Sequence, residues 1–270
     1  MPELLAEPEE QNQEERQLGS MSLLQHLEEL RKRIIYSLGA VAVGTCVGWY
    51  FAKDKIYPVI EKPILVVFKK YNIDPHLSYL SPTDPFNLYL KVGLLAGIFI
   101  ASPIVLYQVW NFVSPGLYRH EKRFLLPFLL LSVGLFCAGG YFGYRIVFPV
   151  AMDFLIQYAG DFRANITVDQ YTKVFLTVIL GLSIIFELPI VLGFAGMMGV
   201  VNAKFLFKHI RGAVLIFFVI AAFLTPTTDI MNMTIYAAPM ILLYLLSIGV
   251  VWLVHPRQRR RRAEKRKLKG

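Results

Sequence analysis

Long apolar runs separated by short polar, charged or proline-containing breaks dominate the chain. The run from Ile34 to Ala52 carries no charge, and at about 1.5 Å per residue it is roughly 28 Å long, close to the thickness of a bilayer's hydrocarbon core. Five further runs follow: Val92–Val113, Phe124–Phe154, Val174–Val201, Ala213–Leu224 and Ile235–Val254. The pattern predicts an all-α membrane protein with six spanning helices, spans 1 to 6, in one domain over residues 21–254.

The two ends of the chain differ from this domain. Residues 1–20 are acidic and lack the basic start and the apolar stretch of a signal peptide, so we expect a disordered N-terminal extension. Residues 255–270, "HPRQRRRRAEKRKLKG", form a basic tail that accounts for most of the net charge of +9. We expect this cytoplasmic tail to lie near anionic lipid headgroups rather than on nucleic acid, or to serve only as a topology anchor.

The distribution of lysine and arginine predicts the orientation in the membrane. Basic clusters precede span 1, separate spans 2 and 3, separate spans 4 and 5, and follow span 6. These segments lie on one side, which the positive-inside rule assigns to the cytoplasm, together with both termini. The opposite loop, residues 53–84, mixes lysines with acidic residues and contains Pro58, Pro63, Pro75 and Pro82, with Pro85 directly after it. We expect it to form short helices packed as a cap on the outer side.

Spans 5 and 6 are predicted to be short. Ala213–Leu224 gives about 18 Å of apolar helix, well below the roughly 30 Å that a bilayer core requires. The sequence "TPTTD" then turns the chain, and Pro239 interrupts the start of span 6. We therefore expect the bilayer to thin around this pair.

The composition and the motifs argue against a soluble domain and against an enzyme. The chain is 56% hydrophobic, with a mean hydropathy of +0.51. Its two cysteines, Cys46 and Cys137, lie inside spans and form no metal pattern. Nucleophile elbows and phosphate-binding loops are missing, and "HEKRF" begins a zinc-protease motif without its second histidine. We expect no catalytic residues, no metal and no cofactor.

Three glutamates stand out by position. Glu29 lies at the entry to span 1, Glu121 lies in the loop after span 2, and Glu187 lies inside span 4, two residues before Pro189, which is expected to kink the helix. Glu29 could simply pair with Arg33 four residues later, and Glu121 could be a solvated loop charge. Glu187 could be a neutral carboxyl hydrogen-bonded to a neighbouring helix. An acid at membrane depth more often faces a cavity or a partner.

Four segments resemble the TatC family, the six-span core subunit of the twin-arginine (Sec-independent) protein translocase. They are "HLEELRKR" at 26–33, "SPIVLYQVWNFVSPGLYRHEKR" at 102–123, "FELP" at 186–189 and "LTPTTD" at 224–229. The resemblance runs in order from about His26 to Val254. It implies a concave, glove-like arrangement of the six helices in the bacterial cytoplasmic (inner) membrane.

The resemblance also implies a function. The chain would be a receptor for signal peptides with an Arg-Arg pair and would take part in exporting folded proteins with the proton gradient. Implied partners are the single-span proteins TatA and TatB, the signal peptides, membrane lipid and further copies of this chain within a receptor complex.

Site residues follow by motif position. Those implied for signal-peptide binding are Glu29, Glu121, Arg31 and Phe112. Glu187 is implied to meet a polar group of a partner helix or an inserted signal peptide, and we expect partner contact near Phe223 and Leu224. Pro63, Tyr144 and Asp229 match further positions that the family uses.

Two other function classes stay open on the sequence. A proton- or ion-coupled transporter of small molecules could use Glu187 and Asp229 as a relay, although such transporters are expected to show paired repeats, which we do not find. An intramembrane enzyme is disfavoured because its motifs are missing.

Overall fold

A computed structural model describes residues 23–113, 125–160, 162, 165–225 and 229–254. Glu121, the N-terminal extension, the basic tail and most of the "TPTTD" turn lie outside these residues. The described α-helices, α1 to α10, are Leu23–Phe51, Tyr57–Lys70, Asp84–Val113, Leu125–Phe142, Phe148–Ala159, Val168–Ile185, Leu188–Met197, Ala203–Lys208, Ile210–Leu224 and Ile230–Val254. Two π-helical segments, Ala52–Ile56 and Gly143–Val147, join α1 to α2 and α4 to α5.

Five helical stretches are long and apolar enough to cross a membrane. They are Gln25–Lys70, Asp84–Val113, Leu126–Ala159, Val168–Met197 and Ile230–Leu253. Helix α9 is shorter, with 15 residues, or about 22 Å. The helical membrane fold and the shortness of span 5 are therefore confirmed, while the count of six crossings stays a prediction.

Span 6 is shorter than spans 1 to 4, as predicted, but it is long enough to cross a membrane. Helix α10 has 25 residues and contains Pro239, which gives it about 37 Å. Its start is fixed by Asp229, whose carboxylate accepts the Asn232 amide hydrogen at 2.7 Å, as an N-terminal cap does. Hydropathy treats Asn232 as a polar break, but its side chain is fully buried, so the helix continues through it.

Helices α1 and α3 pack with their backbones in contact. Each carries two glycines four residues apart, Gly44 and Gly48 on α1 and Gly93 and Gly97 on α3. A Cβ atom added at Gly97 would lie 2.4 Å from the Thr45 nitrogen, and one added at Gly48 would lie 2.5 Å from the Gly93 oxygen. Such glycine pairs allow helices to approach closely in membranes. Gly44 contacts Gly97 and Gly48 contacts Gly93, so the two helices run antiparallel and the start of α1 lies beside the end of α3.

The loop between spans 1 and 2 forms the expected cap, built around one helix, α2. Its buried side chains include Ile64 and Phe68, and the backbone oxygen of Ile60 accepts a hydrogen bond from the hydroxyl of Tyr171 on α6 at 2.5 Å. At its last turn, the Lys70 ammonium lies 2.7 Å from a carboxylate oxygen of Asp153 on α5. The cap is therefore attached to both spans 3 and 4.

Span 4 is interrupted at Phe186 and Glu187, as its proline predicted. Helix α6 ends at Ile185 and α7 begins at Leu188, with Pro189 in its first turn. Proline has no amide hydrogen, and in the first turn of a helix such a hydrogen would have no acceptor within the helix, so the proline is tolerated there. Glu187 thus lies at a bend between two helices, with its backbone oxygen accepting from Ile190 at 3.0 Å.

Candidate functional site

Glu29 lies where the start of α1 meets the end of α3. Its Oε1 atom accepts hydrogen bonds from Nε of Arg33 at 3.0 Å and from Nη2 of the same guanidinium. Arg33 also donates from Nη1 to Oε1 of Gln108 on α3 at 3.2 Å. The local pair with Arg33, which the sequence left as an alternative for Glu29, is therefore confirmed.

The second oxygen of Glu29 is in a different state. Oε2 is buried and has no hydrogen-bond partner among the described residues. The Glu29 and Arg33 side chains are only 21% and 23% exposed, whereas those of the neighbouring pair Glu28 and Lys32 are 64% and 65% exposed. A buried acceptor without a donor costs about 1–3 kcal/mol, so a donor that reaches Oε2 would be stabilised there.

Two stacked aromatic rings lie beside the ion pair of Glu29 and Arg33. His26, three residues before Glu29, stacks on Phe112 of α3 with ring centroids 4.3 Å apart. Phe112 lies one turn after Gln108, so both residues present the same face of α3 to α1. The structure thus brings Phe112 close to Glu29. Arg31 is exposed and, two residues from Glu29, lies on a different face of α1.

Glu187 lies against α4, and one of its carboxylate oxygens is fully buried. Oε2 accepts a hydrogen bond from the Ser132 hydroxyl at 2.5 Å, and Ser132 in turn accepts from Nε1 of Trp110 at 3.2 Å. Ser132 is fully buried, and Oε1 of Glu187 is buried with no partner among the described residues. The alternative of a hydrogen bond to a neighbouring helix is therefore confirmed, while the prediction that Glu187 faces a cavity or a partner stays a prediction.

The end of α3 contributes to both carboxylate sites. Gln108 and Phe112 face α1, while Trp110 lies between them in sequence and contacts Ser132 of α4 and, at a centroid distance of 5.0 Å, Phe194 of α7. Residues two positions apart point to different sides of a helix. One short segment therefore separates the site at Glu29 from the site at Glu187.

The two residues expected to contact a partner on α9 point in different directions. Phe223 is 83% exposed. Leu224 is directed toward Gly181 of α6, where an added Cβ would lie 2.5 Å from a Leu224 methyl carbon. Phe223 is therefore the residue that this end of α9 presents outward.

The three remaining predicted positions have structural partners. Pro63 is buried in α2, and Tyr144 donates from its hydroxyl to the Val59 backbone oxygen of the same helix at 2.8 Å. These two residues line one groove at the cap. Asp229 caps α10 and bonds to Asn232, whereas Glu187 bonds to Ser132, so the contacts give the proposed proton relay no support.

Sequence reasoning missed four residues that complete these sites: His26, Gln108, Trp110 and Ser132. Three of them lie within the motifs that carried the resemblance, and Gln108 is one helical turn from Phe112. That spacing could have indicated a shared face. Ser132 gave no signal, because a serine in an apolar helix often bonds to its own backbone.

Comparison with known proteins gives one family throughout. The family model described as "Sec-independent protein translocase protein (TatC)" matches residues 25–239. A "Sec-independent protein translocase protein TatC" from Koribacter versatilis is 52% identical over 247 residues, which cover 92% of this chain and 91% of that protein. A protein of the same name from Aquifex aeolicus is 38% identical over 231 residues, 84% of this chain and 93% of the relative.

A solved structure agrees with the sequence comparison. The protein described as "Crystal Structure of Twin Arginine Translocase Receptor- TatC" superposes with a TM-score of 0.76 at 37% sequence identity, covering 85% of this chain and 99% of that one. By sequence and by fold, the chain belongs to the TatC family of Sec-independent protein translocase proteins.

Proposed function

We propose that this multi-pass protein of the bacterial inner membrane is the signal-peptide receptor and core subunit of a twin-arginine translocase, which exports folded proteins with the proton gradient. The family is that of a transport component rather than a catalyst. The observation that carries the proposal is the buried Oε2 atom of Glu29, an acceptor with no partner among the described residues. It lies at the end of the molecule that the basic loops assign to the cytoplasm.

The geometry around Glu29 suits a guanidinium. Arg33 occupies Oε1 and is itself held by Gln108, so the carboxylate is fixed in orientation with Oε2 remaining for a second donor. Charge-assisted bonds of this kind are about twice as strong as neutral ones, and the planar arginine fork fits a carboxylate better than a lysine ammonium does. The stacked ring of Phe112 adds an aromatic surface beside the site, which a guanidinium also favours.

Two arginines require more than one carboxylate. Glu29 is already paired with Arg33, so the signal peptide needs a further negative charge to balance its own pair. We assign that charge to Glu121, whose loop follows α3 directly in the sequence, and we assign Arg31 to the rim of the same site.

The second carboxylate site is proposed to receive a helix of a single-span partner. Oε1 of Glu187 is a buried acceptor, and a polar side chain on a partner helix such as that of TatA or TatB could donate to it. Phe223 on the short helix α9 offers an exposed contact, and the mismatch of α9 with the bilayer favours docking nearby. The receptor complex is proposed to contain further copies of this chain.

The experiment compares two adjacent glutamates. Glu29→Gln is expected to weaken binding of a twin-arginine peptide by roughly ten- to a hundredfold, since a charge-assisted bond contributes about 1.5–3 kcal/mol. Glu28→Gln is the matched control, because Glu28 is also a glutamate paired at i+4 but is largely exposed. Binding is measured to the purified protein in mild detergent, with a Lys-Lys peptide as ligand control.

Glu121→Gln and the double variant complete this experiment. Each single change is expected to weaken binding similarly, and the double change to cost less than the sum, because both carboxylates hold the same short motif. If Glu28→Gln weakens binding as much as Glu29→Gln, or if both Glu29→Gln and Glu121→Gln bind normally, the recognition site is elsewhere.

A further inference from the structure

The cap helix α2 carries a charged face that neither proposed site uses. Lys62, Leu65, Val66 and Lys69 follow the spacing i, i+3, i+4 and i+7, so they share one side of the helix. This side borders a groove of about 460 Å³ whose other wall belongs to span 3. The groove lining includes Lys62, Lys69 and Arg145 together with Leu65, Val66 and Tyr144, which places three cations around a largely apolar floor.

The acidic residues Glu61 and Asp153 have partners other than these cations. Glu61 accepts a hydrogen bond from the hydroxyl of Tyr57 at 2.9 Å, and Asp153 is paired with Lys70 at 2.7 Å. In the described part of the chain, no ion pair engages Lys62, Lys69 or Arg145. Three like charges around one groove repel each other, so an anion bound among them would relieve that repulsion.

The depth of the groove matches the start of the lipid headgroups. Arg145 follows Phe124, where the apolar run of span 3 begins in the sequence, by 21 positions, which is about 31 Å at helical rise and close to the hydrocarbon thickness. Beside the groove, Val66 is 70% exposed and Ile146 is 50% exposed. Both add exposed apolar surface beside the three cations.

We propose that this groove binds an anionic phospholipid in the leaflet on the cap side. Arg145 and the two lysines hold the headgroup phosphate, since a guanidinium donates two parallel hydrogen bonds to phosphate oxygens and lysine adds a point charge. The first segment of an acyl chain lies on Val66 and Leu65. The Tyr144 hydroxyl, bonded to Val59 at 2.8 Å, fixes α2 against span 3, so both walls of the groove are in place before the lipid binds.

The test measures lipid binding to the full-length protein by native mass spectrometry in mild detergent. Phosphatidylglycerol is the anionic probe, and phosphatidylethanolamine is the neutral one. The triple variant K62Q/K69Q/R145Q is expected to bind phosphatidylglycerol at least tenfold more weakly, because each basic residue near a membrane surface contributes severalfold to anionic-lipid affinity. Binding of phosphatidylethanolamine is expected to stay unchanged.

A second triple variant removes the same charge elsewhere. K53Q/K55Q/K173Q changes three exposed lysines outside the groove and is expected to bind phosphatidylglycerol like the unchanged protein. V66E keeps all three cations but puts a carboxylate on the floor, and it is expected to weaken phosphatidylglycerol binding.

Three results would overturn the lipid site. The first is equal loss in both triple variants, which would indicate a general effect of surface charge. The second is displacement of phosphatidylglycerol by an equal concentration of inorganic phosphate, which would make the acyl contact irrelevant. The third is displacement by an equal concentration of a soluble Glu-rich peptide, which would make the groove a protein-docking surface.

Discussion

Two glutamates on either side of the end of α3 share one feature and differ in another. Glu29 and Glu187 each keep one carboxylate oxygen buried and without a hydrogen-bond partner among the described residues. The other oxygen of Glu29 is held by the guanidinium of Arg33, whereas that of Glu187 accepts from the neutral hydroxyl of Ser132. The charge of the Glu29 carboxylate is therefore balanced by an arginine on the same helix, whereas the Glu187 carboxylate has only a hydrogen bond from a neutral hydroxyl.

This difference sets what each site can recognise. A cation that arrives at Glu29 meets a carboxylate whose charge is already balanced, so its binding depends on additional negative charge nearby and should weaken as salt is added. At Glu187 a neutral donor is enough to supply the hydrogen bond that Oε1 lacks, and the surrounding membrane limits the access of salt ions. We expect ionic recognition at the first site and hydrogen-bonded helix docking at the second.

The largest expected effect comes from Ser132→Ala. This change removes the donor to Glu187 and the acceptor for Trp110 together. Each buried polar group left without a partner costs about 1–3 kcal/mol, so we expect the free energy of unfolding to fall by about 2–4 kcal/mol, measured by denaturant titration in detergent micelles.

Ser183→Ala is the matched control for that change. Ser183 is also fully buried, one turn before Glu187, but its hydroxyl has no hydrogen-bond partner among the described residues. Its removal is expected to leave stability unchanged or slightly higher. Equal losses in the two alanine variants would mean that the bond between Ser132 and Glu187 does not stabilise the fold.

The second-largest expected effect comes from Arg33→Gln. Arg33→Gln leaves a mostly buried carboxylate without its charge partner, which makes the first site resemble the second. Breaking a fully buried pair costs about 3–5 kcal/mol, and the partial exposure of this one reduces our expectation to about 1–2 kcal/mol. Thermal unfolding in detergent measures the loss.

Lys32→Gln is the control for Arg33→Gln, since it breaks the exposed pair with Glu28. Exposed pairs contribute about 0–1 kcal/mol, so little change is expected. The comparison between the two carboxylates fails if Lys32→Gln destabilises the protein as much as Arg33→Gln does.

The sequence predicted the parts of these sites that depend on hydropathy and local spacing. Glu187 stood out as a charged residue inside span 4, and the proline after it predicted the bend. The i,i+4 spacing indicated Arg33 as a local partner of Glu29. Both inferences need only helix geometry and the cost of placing a charge in hydrocarbon.

What the sequence could not predict depends on contacts between helices. Ser132 and Gln108 are ordinary residues of their helices until packing brings them to Glu187 and Arg33. The start of α10 at Ile230, five residues before the predicted Ile235, was missed for the same reason, because whether Asn232 ends or continues a span depends on the helices that bury it. Hydropathy along one chain does not contain that information.

The smallest expected effect tests whether the two carboxylate sites are independent. Gln108→Ala removes one bond to Arg33, and Trp110→Phe removes the bond to Ser132 while keeping an aromatic ring. Each is expected to lower the free energy of unfolding by about 0.5–1.5 kcal/mol. Because the two residues face opposite sides of α3 and share no hydrogen-bond partner among the described residues, the cost of the double variant should equal the sum of the single costs within about 0.5 kcal/mol.

Binding measurements sharpen the same comparison. Gln108→Ala should weaken binding of the twin-arginine peptide. Trp110→Phe should instead reduce cross-linking of a single-span partner to a cysteine placed at Phe223. A double-variant cost that departs from the sum by more than about 1 kcal/mol would show that the two sites are coupled through α3. The end of this helix would then transmit peptide binding to Glu187, and the two carboxylates would form one responsive unit rather than two separate sites.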